Sequence, residues 1–171
     1  MDSREGAKHY LLIKRGSPDA SGRELSALRS AECLLGCGIW PLWEHTRNRK
    51  AIKAGDQVGV YLAGSSQVVA TANVRAVEHW TTELRRRYPL MLDGTPHAVV
   101  MLSDVKMLDP PIDVRSRLDR LSFIKPGVAK WGVAFMGGTR ATSAADFSAL
   151  TVGDSAAARK RSSKIARAGL C

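Results

Sequence analysis

The chain has 171 residues, 44% of them hydrophobic and 25% charged, and a formal net charge of +10. That length suffices for one domain with a real core. No apolar run nears the roughly 20 residues that cross a bilayer, and the N-terminal apolar run of four residues, YLLI, is too short for a secretory signal.

The charge is unevenly spread. After Asp154 there is no acidic residue, while Arg159, Lys160, Arg161, Lys164 and Arg167 add five positive charges. A basic balance points to a polyanionic partner and fast electrostatic association. We expect a disordered leader over residues 1–8, one domain over 9–153, and a basic tail over 154–171. The three cysteines are an odd number. Cys33 and Cys37 would share a helix face, with His45 as the only nearby further ligand, so buried free thiols are expected rather than a metal site. Reduced thiols suit a cytoplasmic protein.

In chain order, His9 to Lys14, HYLLIK, reads as a buried strand broken by Gly16-Ser17-Pro18-Asp19. Asp19 or Ser21 would cap a helix whose face is Leu25, Leu28, Ala31 and Leu35, ended by Gly36 and Gly38. Pro41 excludes a regular helix through Ile39-Trp40. Trp43 to Lys50 reads as a short helix or loop, and Ala54-Gly55-Asp56 as a turn. Gln57 to Leu62 and Gln67 to Val77 form a hairpin. Its first strand puts Val58, Val60 and Leu62 on one face and Gly59 and Tyr61 on the other. Its second has Val68, Ala70, Ala72 and Val74 as the core face. Thr81 to Arg87 is a helical turn.

His97 to Met107 is a further strand with a bend at Ser103-Asp104, closed by Asp109-Pro110-Pro111. Ile112 to Leu121 reads as a solvated helix or irregular segment. Trp131 to Met136 reads as a strand ending at Gly137-Gly138, and Thr142 or Ser143 caps a last helix. No strand-helix alternation with a Gly-rich phosphate loop is present. The expected fold is therefore α+β: a small, mostly antiparallel, partly closed barrel of five to six strands flanked by helices.

The chemistry concentrates in GIWPLWEHTRNRKAIKAGDQVGVYL, residues 38–62. Aromatic faces, cations and an amide lie close together there, as needed to hold a base outside its stack. Trp40, Trp43, Tyr61, Trp80 and Trp131 supply large aromatic faces. Trp131 reads more as core. Trp40 and Trp43 flank a proline in a glycine-bounded loop, and Trp80 ends a strand; for these three either role fits. Ser17, Asn48, Asn73 and Ser122 are candidate partners for a base edge, with Asn48 first among them and Asn73 facing solvent. Arg47, Arg49, Lys50 and Lys53 form one basic cluster, Arg85, Arg86 and Arg87 a second, and Lys125 and Lys130 a third. Such cations position phosphates without reading sequence.

The succession GIWPLWEHTRNRKAIKAGDQVGVYL, QVVATANV and LSFIKPGVAKWGVAFMGGTRATSAADFSAL resembles the EVE domain, a family of the PUA-like group that also holds the YTH and ASCH domains. The resemblance runs from about His9 to Leu150. It implies a PUA-like pseudo-β-barrel with a pocket for a modified base, such as a methylated cytosine or adenine, in DNA or RNA. It also implies that Ser122 and Phe123 lie near that pocket, opposite Trp40 and Asn48. HYLLIK departs from the family in keeping one aromatic where many relatives have a Tyr-Trp pair.

The expected role is a non-catalytic nucleic-acid-binding module with no cofactor, no metal and no membrane partner. No nucleophile elbow or deaminase spacing occurs, and His9, His45, His79 and His97 share no spacing. One alternative is an RNA-binding module of the same fold for modified tRNA or rRNA. Another is an ASCH-like small-molecule hydrolase, which requires a carboxylate facing a lysine, for example Glu44 and Lys53.

Overall fold

The structure is a computed structural model and describes residues 6–19, 21–88 and 95–153. The leader before Gly6 and the basic tail from Asp154 lie outside the described residues.

Strand β1 (His9–Lys14) leads through a minimal ribbon, β2 (Ser17–Pro18) and β3 (Glu24–Leu25), into α1 (Ala27–Gly36) and β4 (Ile39–Leu42). Then come the hairpin β5 (Gln57–Leu62) and β6 (Gln67–His79), the short α2 (Thr82–Arg87) and the long β7 (Ala98–Asp113). Two 3-10 helices follow, Val114–Arg120 and Trp131–Phe135, before β8 (Thr139–Thr142) and α3 (Ala144–Thr151). Six strands form one curled half-barrel sheet in the order β4-β7-β6-β5-β1-β8. Only β1 and β5 are parallel, with Leu12 opposite Val60; every other pairing is antiparallel. The α+β class and the curled, mostly antiparallel sheet are as expected.

Both sheet faces are covered. Tyr10 and Leu12 of β1 join one apolar cluster with Leu34 and Leu35 of α1 and Val58, Val60 and Leu62 of β5. Leu11, Ile13 and Tyr61 point the other way, into a cluster with Phe135 and Leu150. The alternation read for β5 thus holds. β6 is different: Ala70, Ala72 and Val74 lie in the first cluster but Val68 in the second. A register shift between Val68 and Ala70 reverses the strand's phase there.

Four local expectations are corrected. Helix α1 is capped by Ser26, whose side chain accepts from the Arg29 N–H. Asp19 instead closes its own turn, accepting from the backbone N–H groups of Ser21 and Arg23 at 2.9 and 3.0 Å. The buried face of α1 is accordingly Ser30, Ala31, Leu34 and Leu35, and Leu28 is exposed. Second, β7 does not stop at Asp109-Pro110-Pro111. The prolines fall between Met107, opposite Ala70, and Ile112, opposite Val68, where the ladder is irregular and no N–H is needed. Third, Trp131 to Met136 is not a strand. A strand would bury Trp131, Val133 and Phe135 together, yet Val133 is 59% exposed while Phe135 is buried, so the 3-10 turn brings Trp131 and Phe135 together instead. Fourth, Val114–Arg120 is not simply solvated: Val114 is buried, and buried Arg117 donates to the Ala149 carbonyl and, at 2.7 Å, to that of Val152. A cation there satisfies the open end of α3.

Two more readings change: Ile39–Leu42, read as part of a loop, is strand β4 because it pairs with β7, and Leu25, read on the helix face, lies in β3 before α1. The following readings hold. Asp104 has φ of 51°, at the bend expected there. Thr81 caps α2 and Ser143 caps α3. Asp56 is a buried turn acceptor, taking the N–H groups of Lys8 and Lys53 at 3.0 and 2.9 Å. Of the thiols, Cys33 is half-buried and Cys37 exposed, both free, so the expectation of burial fails at the helix end.

Candidate functional site

The sheet stops short of closing. β4 and β8 are its unpaired edges, but the chain after β4 reaches the chain before β8. The Arg47 N–H donates to the Gly137 carbonyl at 3.0 Å, and the Thr139 hydroxyl donates to the Arg47 carbonyl. From the β1 side the Ile13 N–H donates to the Gly138 carbonyl at 2.9 Å. Gly137 and Gly138 have φ of 92° and 80°, a region that side chains rarely adopt. A Cβ on Gly137 would come within 2.7 Å of the Arg47 side chain, and one on Gly138 within 3.1 Å of Thr46. The Gly-Gly turn thus lets the two loops touch.

At this seam lies a cavity of about 210 Å³. Trp40, Trp43 and Thr46 line it from the β4 side, Lys14 and Ser17 from the end of β1, and Leu34 from α1. Trp40 is only 3% exposed. It pairs with Val100 across β4 and β7 and belongs mainly to the core. Trp43 is half-buried, and its N–H donates to the Thr46 hydroxyl at 2.9 Å, which sets the turn that presents the ring. The Lys14 ammonium donates to the Ser17 hydroxyl at 2.9 Å, and burial lowers the Lys14 pKa.

A second cavity, of about 770 Å³, adjoins the first, since Arg15 and Gly16 line both. Tyr61, Trp131, Phe135 and Lys130 line it too. Phe135 is the hub of an aromatic cluster, stacked on Tyr61 with centroids 4.5 Å apart and edge-on to Phe123 and Trp131 at 5.6 and 5.8 Å. Tyr61 is 2% exposed, with its face on Phe135 and its hydroxyl bonded to Ser66. Burial raises its pKa, against the Ser66 bond and nearby Arg115 and Arg15. The open aromatic here is therefore Trp131, which is half-buried.

The remaining expected residues divide sharply. Asn48 sits at φ of 59°, its amide donates to the Thr139 hydroxyl at 3.3 Å, and its carbonyl accepts from Ala51 and Ile52. It braces the loop and lines neither cavity. Ser122 is committed to Asp146: its N–H and hydroxyl donate to that carboxylate at 2.8 and 2.7 Å. Burial alone would raise Asp146, but the bonds from Ser122 and Ser143 outweigh it and its pKa is lowered. Phe123 packs on Phe135 and lies 4.0 Å beneath the Arg140 guanidinium. Trp80 packs against the first cluster and lines neither cavity, and Asn73 is tied to Asp104 at 3.0 Å.

Among the cations, Arg47, Arg49 and Lys50 line a shallow depression formed by residues 44–51. Lys53 follows it, exposed, outside all three cavities. Arg85, Arg86 and Arg87 lie exposed on α2, and Lys125 is exposed between the 3-10 helices; none of these four lines a cavity described here.

Residue type and spacing do not single out Lys14, Arg15, Phe135 or Arg140. Lys14 is the last residue of β1 and Arg15 directly follows it, so both leave the buried strand at its end. Arg140 follows the Gly-Gly turn. Burial lowers its pKa, as does Arg47 nearby, while Asp146 opposes them, and its buried Nε has no hydrogen-bond partner. Among the described residues no three His, Cys, Asp or Glu side chains are grouped to hold a metal, and no helix is long and apolar enough to cross a membrane. No family model matches the chain, and no curated protein matches it.

Proposed function

We propose that the chain is an EVE-type module of the PUA-like group that binds a modified, methylated nucleobase in DNA or RNA without catalysing a reaction on it. The supporting observation is the seam cavity. It is smaller than the roughly 300–1,000 Å³ of clefts that take drug-sized ligands, and about the scale of one base. Trp43 supplies an aromatic face and Lys14 a cation for a neighbouring phosphate. Ser17, whose hydroxyl accepts from Lys14 and lies 3.4 Å from that of Ser30, supplies a hydroxyl that would exchange the Ser30 contact for the base edge. Arg47 and Arg140, two like charges at the same seam, would be relieved by a phosphate anion. A cytoplasmic location fits this role. The hydrolase alternative has less support, because Glu44 lines the shallow depression and Lys53 lines none of the three cavities.

The test is fluorescence anisotropy of the full chain with short single-stranded DNA and RNA carrying one 5-methylcytosine or one N6-methyladenine, each beside its unmodified twin. We expect at least one mark to bind about tenfold more tightly than its twin. Equal affinity across every pair rejects the reading, and the DNA and RNA arms decide between the two nucleic acids.

A further inference from the structure

We propose that the larger cavity seats the nucleotide next to the modified base, so that the module reads a two-nucleotide unit rather than an isolated base. This rests on the base-binding reading above.

Residue type alone groups Trp40, Trp43, Tyr61 and Trp131 into one pocket. The structure divides them between two cavities that meet at Arg15 and Gly16. The smaller, about 210 Å³, has room for a base alone. The larger, about 770 Å³, falls within the range of clefts that hold a whole small molecule and so has room for base, sugar and phosphate.

Its chemistry matches that ligand. Trp131 carries the open aromatic face, and its edge-on contact with Phe135 fixes the ring against the core. Stacking on such a face tolerates any base. Lys130, beside Trp131, is exposed on the cavity rim. Arg15 is exposed at the junction, where a phosphate linking the two nucleosides would lie, and its charge reaches Tyr61. Gly16, which lines both cavities, also lets the turn pack closely on β3: a Cβ there would be 3.1 Å from the Leu25 carbonyl. Among the described residues no carboxylate is paired with Arg15 or Lys130, so both are available to an anion.

The experiment uses the full chain and trinucleotides carrying the preferred mark, with the neighbour on either side intact or abasic. An abasic site keeps the phosphates and removes only the stacking base. We expect an abasic neighbour on one side, and only that side, to weaken binding about fivefold or more. Trp131→Ala should abolish that difference yet retain the preference for the mark over its unmodified twin. Lys130→Gln should flatten the salt dependence without changing the abasic penalty. Because the abasic comparison is made on the unaltered chain, a poorly folded Trp131→Ala does not obscure it. If abasic neighbours on both sides bind as well as intact ones while the mark is still preferred, this inference is overturned and the base-binding reading stands. If no mark is preferred at all, both fall.

Discussion

Trp40 and Trp43 are three residues apart and chemically identical, yet they do different work. Trp40 is inside the core, so Trp40→Ala should cost about 3–5 kcal/mol of stability, and any loss of binding would follow from unfolding. Trp43 is half-buried at the cavity, and Trp43→Ala should cost less stability while removing roughly 1–3 kcal/mol of binding. Urea denaturation alongside oligonucleotide titration separates them; a Trp43→Ala chain that binds as tightly as the parent would remove that ring from the site. Asn48 and Ser122 make the same point for polar groups. Residue type marks both as partners for a base, but each already has an internal partner, Thr139 and Asp146, supplied from about 91 and 24 residues away.

At the scale of elements, strand β5 and the cap of α3 are legible in the sequence because their signals are local. Alternation over six residues sets β5, and a serine before the helix sets α3. The Trp131–Phe135 turn is not legible, since WGVAFM suits a strand until the aromatic cluster around Phe135 selects the other conformation. The loop of residues 43–51 is likewise held from outside, through Gly137 and Thr139. Gly137→Ala places a side chain at φ of 92° and displaces Arg47. We expect a loss of about 1–3 kcal/mol and faster amide exchange at Arg47, whose N–H donates to Gly137. Unchanged stability and unchanged exchange would show that the turn does not hold the loop.

Over the whole molecule, the three basic clusters are not equivalent. Arg47, Arg49 and Lys50 border the seam, whereas Arg85, Arg86 and Arg87 sit on α2 away from the described cavities. Replacing the first three by glutamine should reduce the slope of log K against log salt by about 0.7 for each single-strand phosphate no longer neutralised, with the preference for a mark unchanged. The same replacement of Arg85, Arg86 and Arg87 should leave the slope nearly as it was. Equal effects from the two triple variants would mean that phosphate binding is diffuse rather than centred on the seam.

What the chain determines alone is the α+β class, the positions of β1, β5, β6 and β7, the hairpin and the concentration of aromatic and basic residues in residues 38–62. These follow from hydrophobic period, turn residues and charge, all of which act over a few positions. Only the tertiary structure decides which of those side chains remain open. Curling of the sheet brings the loop after β4 to β8 across about 90 residues of sequence, as the Asn48 to Thr139 bond records. In the folded chain Trp40 is buried in the core, Asn48 is occupied, Trp43 and Trp131 remain at two adjoining cavities, and Arg15 lines both. Burial and hydrogen-bond saturation depend on such distant contacts, and residue type alone does not reveal them.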